Sequence, residues 1–321
     1  MSNTSKHTKI KKHSSIIIYG SGFLFAILVG FSFISAKILA ANGTVLEAMT
    51  WRYNFAMAFA FILLITRVIK IRFTSFVFKK AAPAALFYIA FMIMQVWGLR
   101  YSSSVESGIA FAIIPIIATI LSALFLKEHA NVLQIVFMLV SVLSLITMIL
   151  LGANAHSISI VGFGILILSS IFMAVSNIQM RVTRTALSAI EIPIVIIIIG
   201  FIGFNLASLV NYGVRGNIIH GQMAFFSLIQ NPAYFFAAAY LGIFCIFITA
   251  ILMTYMTSKM PAYIATIFGN LSTAISLIAG PILLSEFIHW YQILCACLII
   301  ICVIGVSLVR DKGDKGDSDA K

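Results

Sequence analysis

The hydrophobic positions of this chain run in long unbroken stretches, and the polar residues collect in the short gaps between them. Ten such stretches stand out, at about 16–39, 45–66, 81–99, 105–126, 131–151, 157–180, 190–212, 234–256, 261–284 and 288–309. Each holds roughly the 20 apolar residues that carry a helix across a bilayer. In hydrocarbon every backbone N–H and C=O must be satisfied inside the protein, which leaves helices or a closed barrel. The short alternating segments of a barrel are missing. The pattern therefore predicts an all-α integral membrane protein of ten transmembrane helices. Pro83, Pro193, Pro232 and Pro261 mark predicted helix starts, where the absent N–H costs little. Pro115 and Pro281 fall inside spans and should loosen or kink them.

Two of the polar breaks match. FLKEHANVLQ, residues 125–134, and LLSEFIHWYQ, residues 283–292, place Leu, Glu and Gln at the same spacing, 158 positions apart from Glu128 to Glu286. The register holds beyond them, with Ile117 on Ile275, Ile120 on Ile278 and Gln134 on Gln292. Apolar matches are cheap between membrane helices, but the Glu and Gln matches are not. Five spans per half is an odd number, so the second half would start from the opposite face. This predicts two inverted five-helix repeats, residues 16–151 and 152–309, a recurring plan of secondary transporters. A basic cytoplasmic tail, residues 1–15, precedes them. A charged, Gly-rich and disordered cytoplasmic tail, residues 310–321, follows.

Composition strengthens this reading. The chain is 62% hydrophobic and 9% charged, against about 25% charged in soluble domains. Its net charge of +12 invites a nucleic-acid partner, but 17 of the 21 Lys and Arg residues fall on one side of the predicted spans. That is the positive-inside pattern, which places both termini in the cytoplasm of a multi-pass cell-membrane protein and gives the basic residues anionic lipid to touch. Nucleic acid is not an expected partner. The N-terminal basic stretch lacks a following small-residue cleavage site, so the first helix is expected to be retained. Cys245, Cys295, Cys297 and Cys302 lie within spans and are expected to pack as small apolar residues. The six histidines fall in tails and loops. No metal pair, phosphate loop or nucleophile triad is legible, so neither enzyme nor cofactor is expected.

Polar residues within spans are the candidates for function, because a charge at a helix centre costs about 2.5–3.5 kcal/mol. Arg52 either snorkels, pairs with Glu47 or Glu106, or binds an anionic solute group. Gln95, Asn177 and Asn270, with Trp97 and Tyr240, are read as solute-contacting. As a set they suit a neutral or zwitterionic organic solute in an apolar cavity. Glu106, Glu128, Glu286 and Lys37 are candidates for gating or coupling. For Glu128 and Glu286 the competing reading is that each carboxylate caps the next helix. Against those roles, Lys37 is read first as an interfacial anchor, and Glu106 is read on an equal footing as a partner of Arg100.

Several stretches resemble one known family. GFSFISAKI, residues 30–38, is similar to its first-helix motif, and WRYNFA, residues 51–56, to its second-helix Arg-aromatic motif. GLRYSSSVESGIAFAIIPIIATILSALFLKE, residues 98–128, is similar to its most recognisable segment, a basic-Tyr-small run followed by Pro and then by Glu thirteen later. The chain resembles a ten-helix EamA-type member of the drug/metabolite transporter superfamily over residues 16–309. It departs from the pattern at Val29, where Trp is frequent, and at Glu106, where a small residue is usual. The resemblance implies a secondary-active carrier of a small organic metabolite, such as an amino acid or derivative. It favours export by alternating access with proton coupling as an option. A channel or an importer is the competing class.

Overall fold

A computed structural model describes residues 2–98, 101, 110–152, 160–215, 218–219, 222–283 and 289–309. The long helices fall on the apolar stretches. They are α1 (Ser2–Asn42), α2 (Val45–Ile65), α3 (Ser75–Gly98), α4 (Ala110–Leu126), α5 (Val132–Gly152), α6 (Ile160–Thr183) and α7 (Glu191–Arg215). A two-residue hairpin pairs β1 (Ile218–Ile219) with β2 (Gln222–Met223). Then come the short α8 (Ala224–Ile229), and α9 (Pro232–Lys259), α10 (Ala262–Leu283) and α11 (Trp290–Leu308). Six of the described helices are long and apolar enough to cross a membrane: α2, α3, α5, α6, α7 and α9. Large apolar side chains such as Phe61, Leu143, Leu209 and Ile301 are exposed on the outside of the bundle. A soluble surface does not carry such a belt, whereas lipid accepts it.

The prolines divide. Pro232 opens α9 behind Asn231, whose side chain accepts from the Ala233 N–H at 2.9 Å. Pro261 lies just ahead of α10. Pro115 loosens α4 as expected: a turn at Ile113 interrupts the helix, and Pro115 sits in the first turn after it. Pro83 lies well inside α3, because that helix starts at Ser75, earlier than its apolar run suggests. The side chain of Pro281 is outside the described residues.

Helices α3 and α6 pack together, as do α1 and α10, α5 and α11, and α2 and α7. Between α2 and α7 three polar contacts form a ladder. The Tyr212 hydroxyl donates to Glu47, Thr50 and Ser208 share a hydrogen bond of 2.7 Å, and Asn205 donates to Asn54 at 2.7 Å. Rising numbers on α2 meet falling numbers on α7, so the two helices run antiparallel. A shift of 158 residues carries Glu47 onto Asn205 and Asn54 onto Tyr212, and carries Thr50 onto Ser208 itself. The ladder thus maps onto itself under the register read from Glu128 and Glu286. Helices α5 and α11 match in their acceptors only: Gln134 donates to the Val309 carbonyl at 3.0 Å, and Tyr291, next to the counterpart Gln292, donates to the Leu151 carbonyl at 3.2 Å.

The repeated Gln has a local role in both halves. Gln134 accepts from the Asn131 N–H at 2.8 Å, and Gln292 accepts from the His289 N–H at 2.9 Å. Each closes the first turn of its helix: Gln292 in a capping box with His289, and Gln134 with Asn131, whose own Oδ1 accepts from the Leu133 N–H at 3.3 Å. The capping task therefore belongs to Gln134 and not to Glu128. Gln134 does more than its counterpart. It is fully buried, reaches Val309 through its amide N–H, and also accepts from the Tyr263 hydroxyl at 3.3 Å. The Gln134→Ala variant would remove a partner from three groups, the half-buried Asn131 N–H and Val309 carbonyl and the buried Tyr263 hydroxyl, and a group left unsatisfied in the interior costs about 1–3 kcal/mol. Thermal unfolding of the purified protein should show a clear loss of stability for Gln134→Ala and a smaller one for Gln292→Ala. Equal losses would mean that only the cap matters.

Candidate functional site

The bundle encloses a chamber of about 440 Å³. Its wall comes from α1, α2 and α3 of the first half and from α6 and α9 of the second. It runs from the α1–α2 turn at Gly43, Thr44 and Val45 down to Met180 and Met253. A smaller cavity of about 120 Å³ shares Phe25, Gln95 and Asn177 with it and reaches α4 and α10 at Phe111 and Thr273. Most of the surface is apolar: Phe25, Tyr88, Phe91 and several methionines. Thioether chains are flexible and polarizable, so such a wall adapts to different solute shapes.

Three of the residues picked from the sequence meet in this wall: Arg52 from α2, Gln95 from α3 and Asn177 from α6. Asn177 is buried, and neither its amide nitrogen nor its oxygen has a hydrogen-bond partner. The Nε of Arg52 is likewise buried without a partner. The pairing of Arg52 with Glu47 that the sequence allows does not form. Glu47 instead accepts from the Thr44 N–H at 2.7 Å, from the Thr44 hydroxyl at 2.8 Å and from Tyr212. Buried polar groups are nearly always satisfied, so unsatisfied ones lining a cavity are candidates for bonding a ligand or water.

Three other picks are placed elsewhere. Asn270 faces α5, where its amide N–H donates to Ser141 at 3.3 Å. Tyr240 donates to the Leu28 carbonyl at 2.9 Å and ties α9 to α1 from outside the chamber wall. Trp97 is half exposed on the far side of α3 from Gln95 and Val96, which do line the chamber. Glu106, Glu286 and the side chain of Lys37 lie outside the described residues.

Glu128 belongs to a second site at the opposite end of the chamber from Gly43. Helix α4 ends in a π-helical turn, Ser122–Leu126, closed by Lys127 in the left-handed region at φ 55°. That turn aims the Glu128 carboxylate at Arg181, in the last turn of α6. Arg181 donates twice to Glu128 Oε1, through Nε at 2.7 Å and through a guanidinium nitrogen. Its other guanidinium nitrogen donates to the carbonyls of Thr257 at 2.6 Å and Met260 at 2.8 Å, at the C-terminal end of α9. A cation there satisfies orphan carbonyls and meets the negative end of the helix dipole. One side chain thus ties α6, the α4–α5 turn and α9 directly beneath Met180, its sequence neighbour on the chamber floor. Sequence reading missed Arg181 because it counts as an ordinary basic residue at a span end. The available signal was its place in the last turn of a helix facing an acidic break.

A bundle of apolar helices around a sparsely polar chamber, sealed at one end by a charged knot, has the form of a solute transporter. The EamA-like transporter family model matches this chain twice, over residues 16–150 and 160–308, and the chain belongs to that family. The uncharacterized transporter YcxC of Bacillus subtilis (strain 168) is 29% identical over 306 residues, which is 95% of this chain and 97% of that protein. A solved crystal structure shares the fold with a TM-score of 0.69 at 14% identity, over 92% of this chain and 97% of its own.

Asn177 offers a test that separates binding from folding. An unpaired buried amide costs about 1–3 kcal/mol. Asn177→Ala should therefore raise the unfolding temperature of the solute-free protein while lowering transport. A fall in stability would show that Asn177 serves packing.

Proposed function

We propose that this protein is a secondary-active carrier of a small organic metabolite, an amino acid or derivative in size, working by alternating access in the cell membrane. Its ten spans form two inverted five-helix repeats, with both termini in the cytoplasm. The single observation that carries this reading is the chamber shared between the two halves, with unpartnered Asn177 and Arg52 atoms in its wall and the Arg181 knot closing one end. The antiparallel ladder between α2 and α7 supports the inversion. Counterparts that exchange across antiparallel helices require a two-fold axis lying across those helices, in the membrane plane. An axis along the membrane normal would pair parallel helices. The asymmetry of Lys and Arg supports the orientation.

The family favours export, and a proton gradient is the driving force to test. An untargeted metabolite comparison of cells with and without the protein, followed by counterflow of the accumulated or depleted compound in proteoliposomes, tests the reading. Saturable counterflow abolished by Asn177→Ala is expected. Flux that does not saturate would point to a channel, and no change in any metabolite would overturn the carrier reading.

A further inference from the structure

We propose that the solute is a net organic anion, a carboxylate on an apolar body, with the carboxylate held by Arg52 and a second polar group by Asn177. This rests on the carrier reading and narrows its substrate class. It departs from the neutral or zwitterionic solute that the polar residues suggest when read from sequence alone.

The polar inventory of the chamber decides the charge. Ser32 and Thr249 have committed their hydroxyls to carbonyls of their own helices, those of Val29 at 2.6 Å and Cys245 at 2.6 Å. Thr44 donates to Glu47. What is left for a solute is the guanidinium of Arg52, the amides of Asn177 and Gln95, and the neutral phenol of Tyr88. No Asp or Glu lines the chamber among the described residues. Arginine does not give up its proton, so the wall carries one fixed positive charge. The surrounding Phe25, Tyr88, Phe91 and Met253 keep the local dielectric low, which strengthens that charge. A cationic solute would meet it unopposed. A neutral solute would leave it desolvated and unpaired, the costly state for a buried ion. A carboxylate balances one guanidinium and matches its fork. A phosphate dianion would call for a second cation that the described wall lacks. The methionines and aromatic rings supply the apolar remainder.

The test uses the full chain, purified in detergent, and four probes sharing one side chain: N-acetylphenylalanine, phenylalanine, N-acetylphenylalanine amide and phenylalanine amide. Isothermal titration should rank N-acetylphenylalanine first, about tenfold tighter than its neutral amide, as expected for one charge-assisted pair. Phenylalanine amide should bind most weakly. Arg52→Gln should erase the preference for the acid and keep the affinity for the neutral amide, whereas Arg52→Lys should keep part of the preference. Asn177→Asp, which adds a carboxylate to the wall beside the Arg52 charge, should shift the preference from N-acetylphenylalanine to zwitterionic phenylalanine. That arm stands even if Arg52→Gln fails to fold. Equal binding of acid and amide, a preference that survives Arg52→Gln, or no binding of any of the four would overturn the proposal. Saturable counterflow of a neutral or cationic metabolite would overturn the anion assignment alone and leave the carrier reading standing.

Discussion

In the Arg181→Ala variant, solute counterflow is expected to fall about tenfold or more, the change worth about 1.4 kcal/mol, while the bundle stays folded. The argument starts from what one side chain holds. The Arg181–Glu128 pair has side chains 24% and 22% exposed, so by itself it contributes only about 1 kcal/mol. The bonds to the Thr257 and Met260 carbonyls add to it, because among the described residues no other donor reaches them at the end of α9. Losing the guanidinium leaves Glu128 Oε1 without its partner, beside an Oε2 that is already buried without one. A carrier that alternates must populate a state closed at this end, and removal of the knot shifts that population away. A reporter is available at Ser258, which lines the basic cavity around the knot. In a Ser258→Cys background, a membrane-impermeant maleimide should label faster once Arg181 is replaced. Glu128→Gln should have the smaller effect, since an amide oxygen still accepts from the guanidinium. Wild-type transport and labelling in Arg181→Ala would make the knot a mere fold element.

What could be read from the sequence followed a physical divide. Apolar runs long enough to span a bilayer have few alternatives, so the helices were legible. The Glu128–Glu286 register was legible as well, and it gave Gln134 and Gln292 their shared spacing before their capping bonds were seen. The rotation of each helix about its axis was not legible. In a soluble helix the polar face points to water, but here lipid and interior are both apolar, so no stripe fixes the direction. Asn177 and Asn270 look alike in sequence, each an amide in an apolar run. One faces the chamber and the other faces Ser141. Arg181 hid for a related reason: charges at span ends are common, and only the π-helical end of α4 and the nearby end of α9 turn this one into a knot.

Gly242 is where the chamber wall should tolerate change least. Helix α9 crosses α2 there so closely that a Cβ on Gly242 would collide with the Arg52 carbonyl oxygen, with Phe55 Cβ at 2.8 Å and the Ala56 nitrogen at 3.0 Å. Two of these three obstacles are backbone, which cannot rotate out of the way. Leu241 and Cys245 on either side line the chamber, so any retreat of α9 also moves the wall and the peptide that carries Arg52. Overpacking of a filled interior costs about 1–3 kcal/mol, and in a membrane bundle close approach of small residues is itself the source of association. Gly242→Ala should lower the unfolding temperature by several degrees and weaken solute binding, and Gly242→Leu should leave little folded protein. Gly164 in α6 is the matched control, with nothing within 4 Å of where its Cβ would sit. There, alanine should be neutral or stabilise by up to about 1 kcal/mol through helix propensity. Similar unfolding temperatures for Gly242→Ala and Gly164→Ala would mean that α2 and α9 can separate without cost, and Arg52 would then lack a fixed place in the chamber wall.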